Sequence, residues 1–278
     1  MTRIQFDDDS AAFAAATRDW RAAAPIGNNV MSTVLASQMR SNTYADSLWI
    51  RIEGAEGLIG AAIQTPPYSL LLTDLGPDAT DALSAALTAR RPTLPGVNGP
   101  DAAAERFVAR WRDSIECEAK VRMRTRMFSI DTVTAPAPPP GYARLAGAAD
   151  TELLLTWMRD FGDTLGTVDT WDRATLMKRL HDGRRFWLWT VADEPVAMAG
   201  ASPPVLGVSR IHMVYTPESL RGHGYASALT AHVSSQLLKE GLRCMLYADV
   251  NNPTSNRIYQ NIGFKALGDT VDYRFTPA

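Results

Sequence analysis

Between an apolar strand and the start of an Ala-rich helix, the chain reads Val214-Tyr-Thr-Pro-Glu-Ser-Leu-Arg-Gly-His-Gly-Tyr-Ala226. Glycines at Gly222 and Gly224 let the backbone curl without Cβ clashes, so successive amide N–H groups can point into one concavity. The helix that follows adds partial positive charge at its N-terminus, and the combination suits a pyrophosphate. Arg221, His223, Tyr225 and Ala226 belong to the same turn. Neither common nucleotide fingerprint fits. Gly222-x-Gly224 is followed by Ser227 where the dinucleotide motif needs a third glycine, and no Gly-Lys-Ser/Thr occurs. Taken alone, the turn is equally a tight left-handed turn with an exposed arginine. A second segment, Asn251-Asn-Pro-Thr-Ser-Asn-Arg-Ile-Tyr-Gln-Asn-Ile-Gly-Phe264, puts Asn256 and Tyr259 three apart, on one face of a helix, where both can address one ligand. Gly263 stops that helix and Phe264 turns into the core.

The elements that must carry these residues are strands and helices in alternation. The second half reads α-α-β-β-β-α-β-α-β: helices from Asp150 to Phe161 and from Asp169 or Thr170 to His181, then strands, a helix over 225–240, a strand over 243–248, a helix over 255–262 and a last strand over 271–275. In the first half, Ser10 caps a helix to Arg21, helices cover 79–90 and 100–112, and 120–130 alternates as a strand. Thr134-Ala-Pro-Ala-Pro-Pro-Pro140 separates the halves as a semi-rigid linker. The halves echo one another. Ala55–Pro67 reads AEGLIGAAIQTPP and Ala192–Pro204 reads ADEPVAMAGASPP, each preceded by an aromatic-containing strand, which suggests one module used twice.

Composition narrows the class. The 278 residues are 46% hydrophobic and 21% charged, enough for two ordinary globular cores. With 28 Lys and Arg against 30 Asp and Glu there is no overall field to hold nucleic acid or an anionic bilayer. No stretch approaches the ~18–20 apolar residues of a membrane helix. The acidic start, MTRIQFDDDS, has no apolar h-region. Cys117 and Cys244 stand far apart and form no CxxC pair, so no metal site, a reducing compartment and a cytoplasmic location are expected.

Together, the two motif segments resemble the GNAT superfamily of acyl-CoA N-acyltransferases. Its Arg/Gln-x-x-Gly-x-Gly/Ala signature matches Arg221, Gly224 and Ala226; its Asn-x-x-Tyr followed by Gly-Phe matches Asn256, Tyr259, Gly263 and Phe264. The resemblance covers roughly 141–275. The first half shares only the strand pattern. Where the glycine turn should be it reads Thr73-Asp-Leu-Gly-Pro-Asp78, without the arginine or paired glycines and with two acids that would repel phosphate. The resemblance implies a mixed α/β fold with a mainly antiparallel sheet: a degenerate GNAT-like domain over 1–134, a linker over 135–140 and an acetyl-CoA-binding catalytic domain over 141–278.

It implies further that backbone groups of Val214, Tyr215 and Thr216 pair with the pantetheine arm, as an added strand would. Amides of Arg221, Gly222, His223, Gly224, Tyr225 and Ala226 hold the pyrophosphate, and Asn251 and Asn256 bond the pantetheine or its phosphate. An acceptor amine then attacks the thioester directly, a backbone N–H near Val214 serves as oxyanion donor, and Tyr259 is the general acid. His212, Glu218 and Asp249 border the presumed cleft, but none is singled out as base. His181 and His232 read as ordinary helix residues. Acceptor recognition falls to the loop 160–169, where Asp160 and Asp163 either receive a cationic amine or serve as solvated loop residues and caps. Lys120, Arg122, Arg124 and Arg126 share one strand face, which either grips an anionic partner or is a solvated, edge-protecting face. The expected activity is amine acetylation; the alternatives are a longer acyl donor or a catalytically silent acyl-CoA sensor.

Overall fold

Asp9 starts the first helix: its carboxylate accepts the amide protons of Ala11 and Ala12, both at 2.8 Å. Ser10, the expected cap, is instead the first helical residue, because a carboxylate one position earlier satisfies two orphan donors at once. The computed structural model describes residues 2–42, 44–91, 93–165 and 171–277. The first ten elements are β1 (Arg3–Asp7), α1 (Ser10–Ala23), α2 (Asn29–Ser41), β2 (Leu48–Gly54), β3 (Gly57–Gln64), β4 (Leu70–Leu72), α3 (Pro77–Arg90), β5 (Gly96–Pro100), α4 (Asp101–Ser114) and β6 (Cys117–Ile130). Then follow β7 (Tyr142–Leu145), a 3-10 turn, α5 (Thr151–Leu165), α6 (Arg173–His181), β8 (Arg185–Val191), β9 (Glu194–Ala201) and β10 (Val208–Tyr215). A second 3-10 turn, α7 (Tyr225–Lys239), β11 (Arg243–Asp249), α8 (Pro253–Ile262) and β12 (Lys265–Pro277) complete the chain.

These elements form two compact units. One comprises Met1–Met127 with Asp249–Asn251 and Leu267–Ala278, the other Phe128–Ala248 with Asn252–Ala266. Each runs β-α-α-β-β-β-α-β-α, so the repetition suggested by the matched hairpins extends to the whole element order. In the first unit the strands lie in the order β1-β2-β3-β4-β5-β12-β6, with β4 and β5 parallel. In the second they lie β7-β8-β9-β10-β11, with β10 and β11 parallel; the pairs β7–β8, β8–β9 and β9–β10 are antiparallel. The fold is therefore mixed α/β with mainly antiparallel pairing.

The last strand corrects the expected division. β12 was expected to complete the second half, yet its residues from Leu267 onward lie in the first unit, between β5 and β6. Phe275 stacks on Trp111 at 6.2 Å, and Asp272 accepts from Ser69 Oγ at 3.0 Å and from Arg122 Nε at 2.6 Å. The proline-rich stretch and residues 128–134 group with the second unit, where Trp189 Nε1 donates to the Pro140 carbonyl at 2.9 Å. The cations of the β6 stripe have partners. Lys120 pairs with Glu118, Arg122 with Asp272, Arg124 with Asp101 and Glu105, and Arg126 with Asp269. Lys120 and Arg122 remain exposed, so the stripe is an ion-paired ladder on a solvated face.

Several elements escaped the sequence reading. β5 reads Gly-Val-Asn-Gly-Pro and looks like loop, but close packing requires its glycines. A Cβ at Gly96 would lie 2.0 Å from the Tyr273 carbonyl oxygen, and one at Gly99 2.8 Å from the Leu72 Cβ. α2 buries Asn29, Ser32 and Gln38, which blurs its apolar stripe. The buried Arg21 of α1 joins it, donating to Thr17 Oγ1 at 2.8 Å, Ser32 Oγ at 3.3 Å and the Ala14 carbonyl at 3.0 Å. Asp172 caps α6 through the Thr175 amide at 2.7 Å, whereas the expected caps Asp169 and Thr170 lie outside the described residues. Among the described residues, no helix is long and apolar enough to cross a membrane, and Cys117 and Cys244 are free thiols.

Phe275→Ala is expected to destabilise the first unit by about 3–5 kcal/mol, the usual cost of emptying a buried aromatic position. Hydrogen exchange should rise in β5 and β6, which flank β12, while β8 and β9 keep their protection; uniform protection throughout would contradict the placement of β12.

Candidate functional site

β10 begins as an ordinary central strand and does not finish as one. Its parallel pairing with β11 runs from Val208↔Arg243 to Ile211↔Leu246 and stops, although β10 continues to Tyr215. On its other side His212 faces Gly200 and Tyr215 faces Met198, so three steps along β10 match two along β9. That is a β-bulge, with Met213 in the left-handed region at φ 51°. The extra residue bends the strand and leaves one edge of Val214 and Tyr215 without a β11 partner. Thr216 follows directly, its Oγ1 buried without a hydrogen-bond partner among the described residues.

Beyond Thr216 a 3-10 turn over 218–220 leads into the glycine turn. Arg221 Nε donates back to the Thr216 carbonyl at 3.1 Å and ties the turn to the strand end. Gly222 and Gly224 adopt φ of 85° and 82°, a region that costs other residues about 1–2 kcal/mol. A Cβ built on either would meet nothing within 4 Å, so the space beside the turn is open. The amides of residues 222–227 have no acceptor among the described residues; the first helical amide bond is Ala228 N to the Gly224 carbonyl at 3.0 Å. Tyr225 and Ala226 form the first turn of α7. His223 Nδ1 donates to the Leu220 carbonyl at 3.2 Å and its ring stacks on Tyr225 with centroids 5.5 Å apart. Six donors without acceptors among the described residues, at a helix N-terminus and all exposed or half-buried, make an arrangement suited to an anion.

α8 supplies the second set. Asn252, not anticipated, is its N-cap and accepts the Ser255 amide at 3.0 Å. Asn256 is buried and donates through Nδ2 to the Asn252 carbonyl at 2.7 Å, so part of its bonding fixes the start of the helix. One turn on, Tyr259 is 8% exposed, with its ring edge-on to Phe128 at 6.2 Å and Phe264 at 5.9 Å. Its hydroxyl makes no hydrogen bond to a described residue, and burial pushes its pKa up to about 12. Asn251 groups with the first unit, so it is not among the residues that the second unit brings together; its amide donates to Asp249 Oδ1 at 2.8 Å.

The acids and bases separate clearly. Asp160 and Asp163, expected in a loop, sit on α5, because the helix continues to Leu165. Asp160 accepts from the Tyr215 hydroxyl at 3.4 Å, and Tyr215 is held by the rings of Trp157 and Phe161; Asp163 is exposed. Burial and the Asp160 charge raise the Tyr215 pKa. The rest of the expected acceptor loop, residues 166–169, lies outside the described residues. Among the base candidates, His212 receives Arg184 Nη1 at 2.6 Å on Nε2. Burial, followed by the charges of Arg184, Arg210 and Arg179, holds its pKa well below the usual histidine range. Such an imidazole stays neutral and accepts from Arg184, which makes it a poor general base. Glu218 is exposed in the 3-10 turn, and Asp249 groups with the first unit. Among the described residues no group of three or more His, Cys, Asp or Glu could hold a metal.

The equivalent place in the first unit is built differently. After β4, Thr73 keeps pairing with β3: its backbone N–H donates to the Ala61 carbonyl at 3.1 Å and its Oγ1 takes the Ala61 amide at 2.9 Å. Leu75 is buried, and Gly99 of β5 packs against Leu72 with no room for a side chain. Pro77 at the first position of α3 has no N–H to offer, and Asp74 and Asp78 add negative charge.

The profile of the acetyltransferase (GNAT) family matches residues 151–264. A search of curated proteins finds no match. Among solved structures, the chain is similar to a GNAT-family acetyltransferase from Colwellia psychrerythraea, with 12% identity, a TM-score of 0.60 and 99% and 100% of the two chains covered. It is similar also to a GCN5-related N-acetyltransferase from Sphaerobacter thermophilus, with 15% identity, a TM-score of 0.62 and 98% and 95% covered. A tandem GNAT protein from the clavulanic acid biosynthesis pathway gives 11% identity, a TM-score of 0.58 and 99% and 98% covered. At such identities the likeness is one of fold, and it extends over both units. Residues 151–264 thus match the profile of the GNAT acetyltransferase family, within a chain that has the fold of two GNAT domains in tandem.

Proposed function

We propose that the second unit binds acetyl-CoA and acetylates an amine, and that the first is a GNAT-like domain without a CoA site. The observation that carries this reading is the run of six acceptor-free amides over 222–227, opening on space that a glycine Cβ would not fill. The residues present fit the co-substrate. The turn from Arg221 to Ala226 would hold its pyrophosphate, the released edge of Val214, Tyr215 and Thr216 its pantetheine arm, and Asn256 would bond nearby. The thioester supplies an activated acyl carbon. Val214 offers a backbone N–H for the oxygen that gains charge, and Asp160 draws the acceptor ammonium.

Tyr259 is the proton donor. A phenol at about 12 stays protonated at neutral pH. Against a free thiol near 8.5, proton transfer from it would be uphill by roughly 5 kcal/mol. Burial shifts thiols too: the buried Cys244 of this chain is pushed up to about 12. A sulfur leaving in a similarly dry place would be shifted in the same direction, which narrows that gap. The amine proton passes to solvent, and solvent reprotonates the phenol.

Acetyl-CoA at 100 times its Kd should stabilise the protein by about 2.7 kcal/mol, read as a rise in Tm. Gly224→Asp should abolish that rise, whereas Gly224→Asn, which tolerates a left-handed backbone without adding charge, should keep part of it. An unchanged rise in the aspartate variant would displace the cradle. Tyr259→Phe should lower kcat by ~10²-fold or more with acetyl-CoA affinity within about twofold; full turnover would remove the phenol from the reaction. CoA-ester binding without turnover on any amine would return the chain to the sensor reading.

The same residue sets a limb of the pH–stability profile. Folded Tyr259 keeps its proton to about pH 12, while an unfolded tyrosine releases it near pH 10. Its contribution is complete below pH 10 and declines by about 1.4 kcal/mol per pH unit from there to 12. Denaturation of Tyr259→Phe across that window should lack this decline; parallel profiles would mean an ordinary phenol.

A further inference from the structure

Arg210 and His212 alternate to the same face of β10, just before the bulge that carries Tyr215. The imidazole packs over Gly200, where a Cβ would lie 2.5 Å from its Cε1, and Phe186 closes its other side edge-on at 5.7 Å. Arg184 reaches across β8 and β9 to donate to His212 Nε2. Trp171 lies against two guanidinium groups, Arg179 at 5.1 Å and Arg184 at 5.8 Å from its ring centroid. Three arginines and a neutral histidine therefore converge, all of them half-buried.

Arg184 differs from the half-buried arginines that the fold neutralises from within: Arg51 meets Asp7, Arg126 meets Asp269 and Arg144 meets Asp150. The buried Arg21 lacks a carboxylate but has oxygen acceptors at Nε, Nη1 and Nη2. Arg184 has neither. Among the described residues its side chain bonds only to His212, through Nη1, leaving Nε and Nη2 without acceptors. Burial and the neighbouring Arg179 and Arg210 push its pKa down to about 9, the signature of a cation short of an anion.

We propose that this cluster is the subsite for a carboxylate on the acceptor, received by the free edge of Arg184. The inference rests on the acyl-transfer reading and names its substrate class: an amine that also bears a carboxylate, as an amino acid does. Asp160 beside Tyr215 takes the ammonium end, and Arg184 beside His212 takes the carboxylate. Tyr215 and His212 are three residues apart on β10, roughly 7–10 Å of strand. A planar carboxylate matches the guanidinium fork and would fill its two vacant donors.

The test is calorimetric titration of the full-length protein with N-acetylglycine, N-acetyl-β-alanine and N-acetyl-γ-aminobutyrate, each against its carboxamide, and separately with acetyl-CoA. At least one carboxylate should bind tenfold or more tighter than its amide. Arg184→Met should reduce that preference to within twofold with acetyl-CoA affinity unchanged, and Arg184→Lys should keep part of it. Equal binding of every pair, no binding of any probe, or a preference that survives Arg184→Met would overturn the carboxylate subsite while leaving acetyl-CoA binding intact. The wild-type comparison decides the matter even if Arg184→Met does not fold. Failure of acetyl-CoA to bind would instead overturn the acyl-transfer reading, and this inference with it.

Discussion

A parallel strand pair that stops partway along one strand releases that strand's inner edge, and the pairing of β10 with β11 stops at Ile211. The separation follows from one extra residue. With three residues of β10 set against two of β9, the strand must bend, and Met213 takes a left-handed conformation worth about 1–2 kcal/mol of strain. Packing on both sides maintains it: Tyr215 is wedged by Trp157 and Phe161, and His212 by Phe186. The bulge thereby sets the direction of each nearby group. It turns Tyr215 toward Asp160, keeps His212 against Arg184, and delivers Thr216 to the point where Arg221 can tie down the glycine turn.

The two units show how little has to change for one element order to lose such a site. In the first, β4 ends after Leu72, Thr73 extends the ladder with its own hydroxyl, and Gly99 packs onto Leu72 where the strands would have to part. A proline takes the first helical position, and acids stand where phosphate charge would gather. In the second, glycines at positive φ keep the turn open and the α7 amides keep their donors. Architecture is common to both units; a handful of backbone conformations and charges separates the two turns.

Charge is also handled differently in different places. Along β6, Arg122 and Arg126 meet Asp272 and Asp269 of β12, and these pairs help to hold the final strand in the first unit. Around Arg184, among the described residues, the second unit sets an imidazole on Nη1 and an indole beside the guanidinium in place of a carboxylate. Half-burying a guanidinium short of acceptors is costly, which is the physical ground for proposing an outside anion at Arg184.

Much of the design is local and therefore readable in the sequence. Acidic turns between apolar runs specify the hairpins β2–β3 and β8–β9, Gly263 ends α8 at φ 110°, and Gly222 and Gly224 announce the turn before α7, because these are properties of a few adjacent residues. The Asn256–Tyr259 spacing likewise put both on one buried face. Properties that depend on distant partners were not readable. Asp160 and Asp163 passed for loop residues because nothing nearby shows α5 continuing to Leu165; β5 passed for loop because its glycines answer to Tyr273 and Leu72; and β6 passed for a free basic face because its carboxylates come from Asp269, Asp272, Asp101 and Glu105. Short-range sterics and periodicity determined the elements and the chemistry of the turn. Only tertiary packing decided that β12 joins the first unit, that β10 and β11 part, and that Arg184 faces an imidazole instead of an acid, since each depends on contacts between residues far apart in the chain.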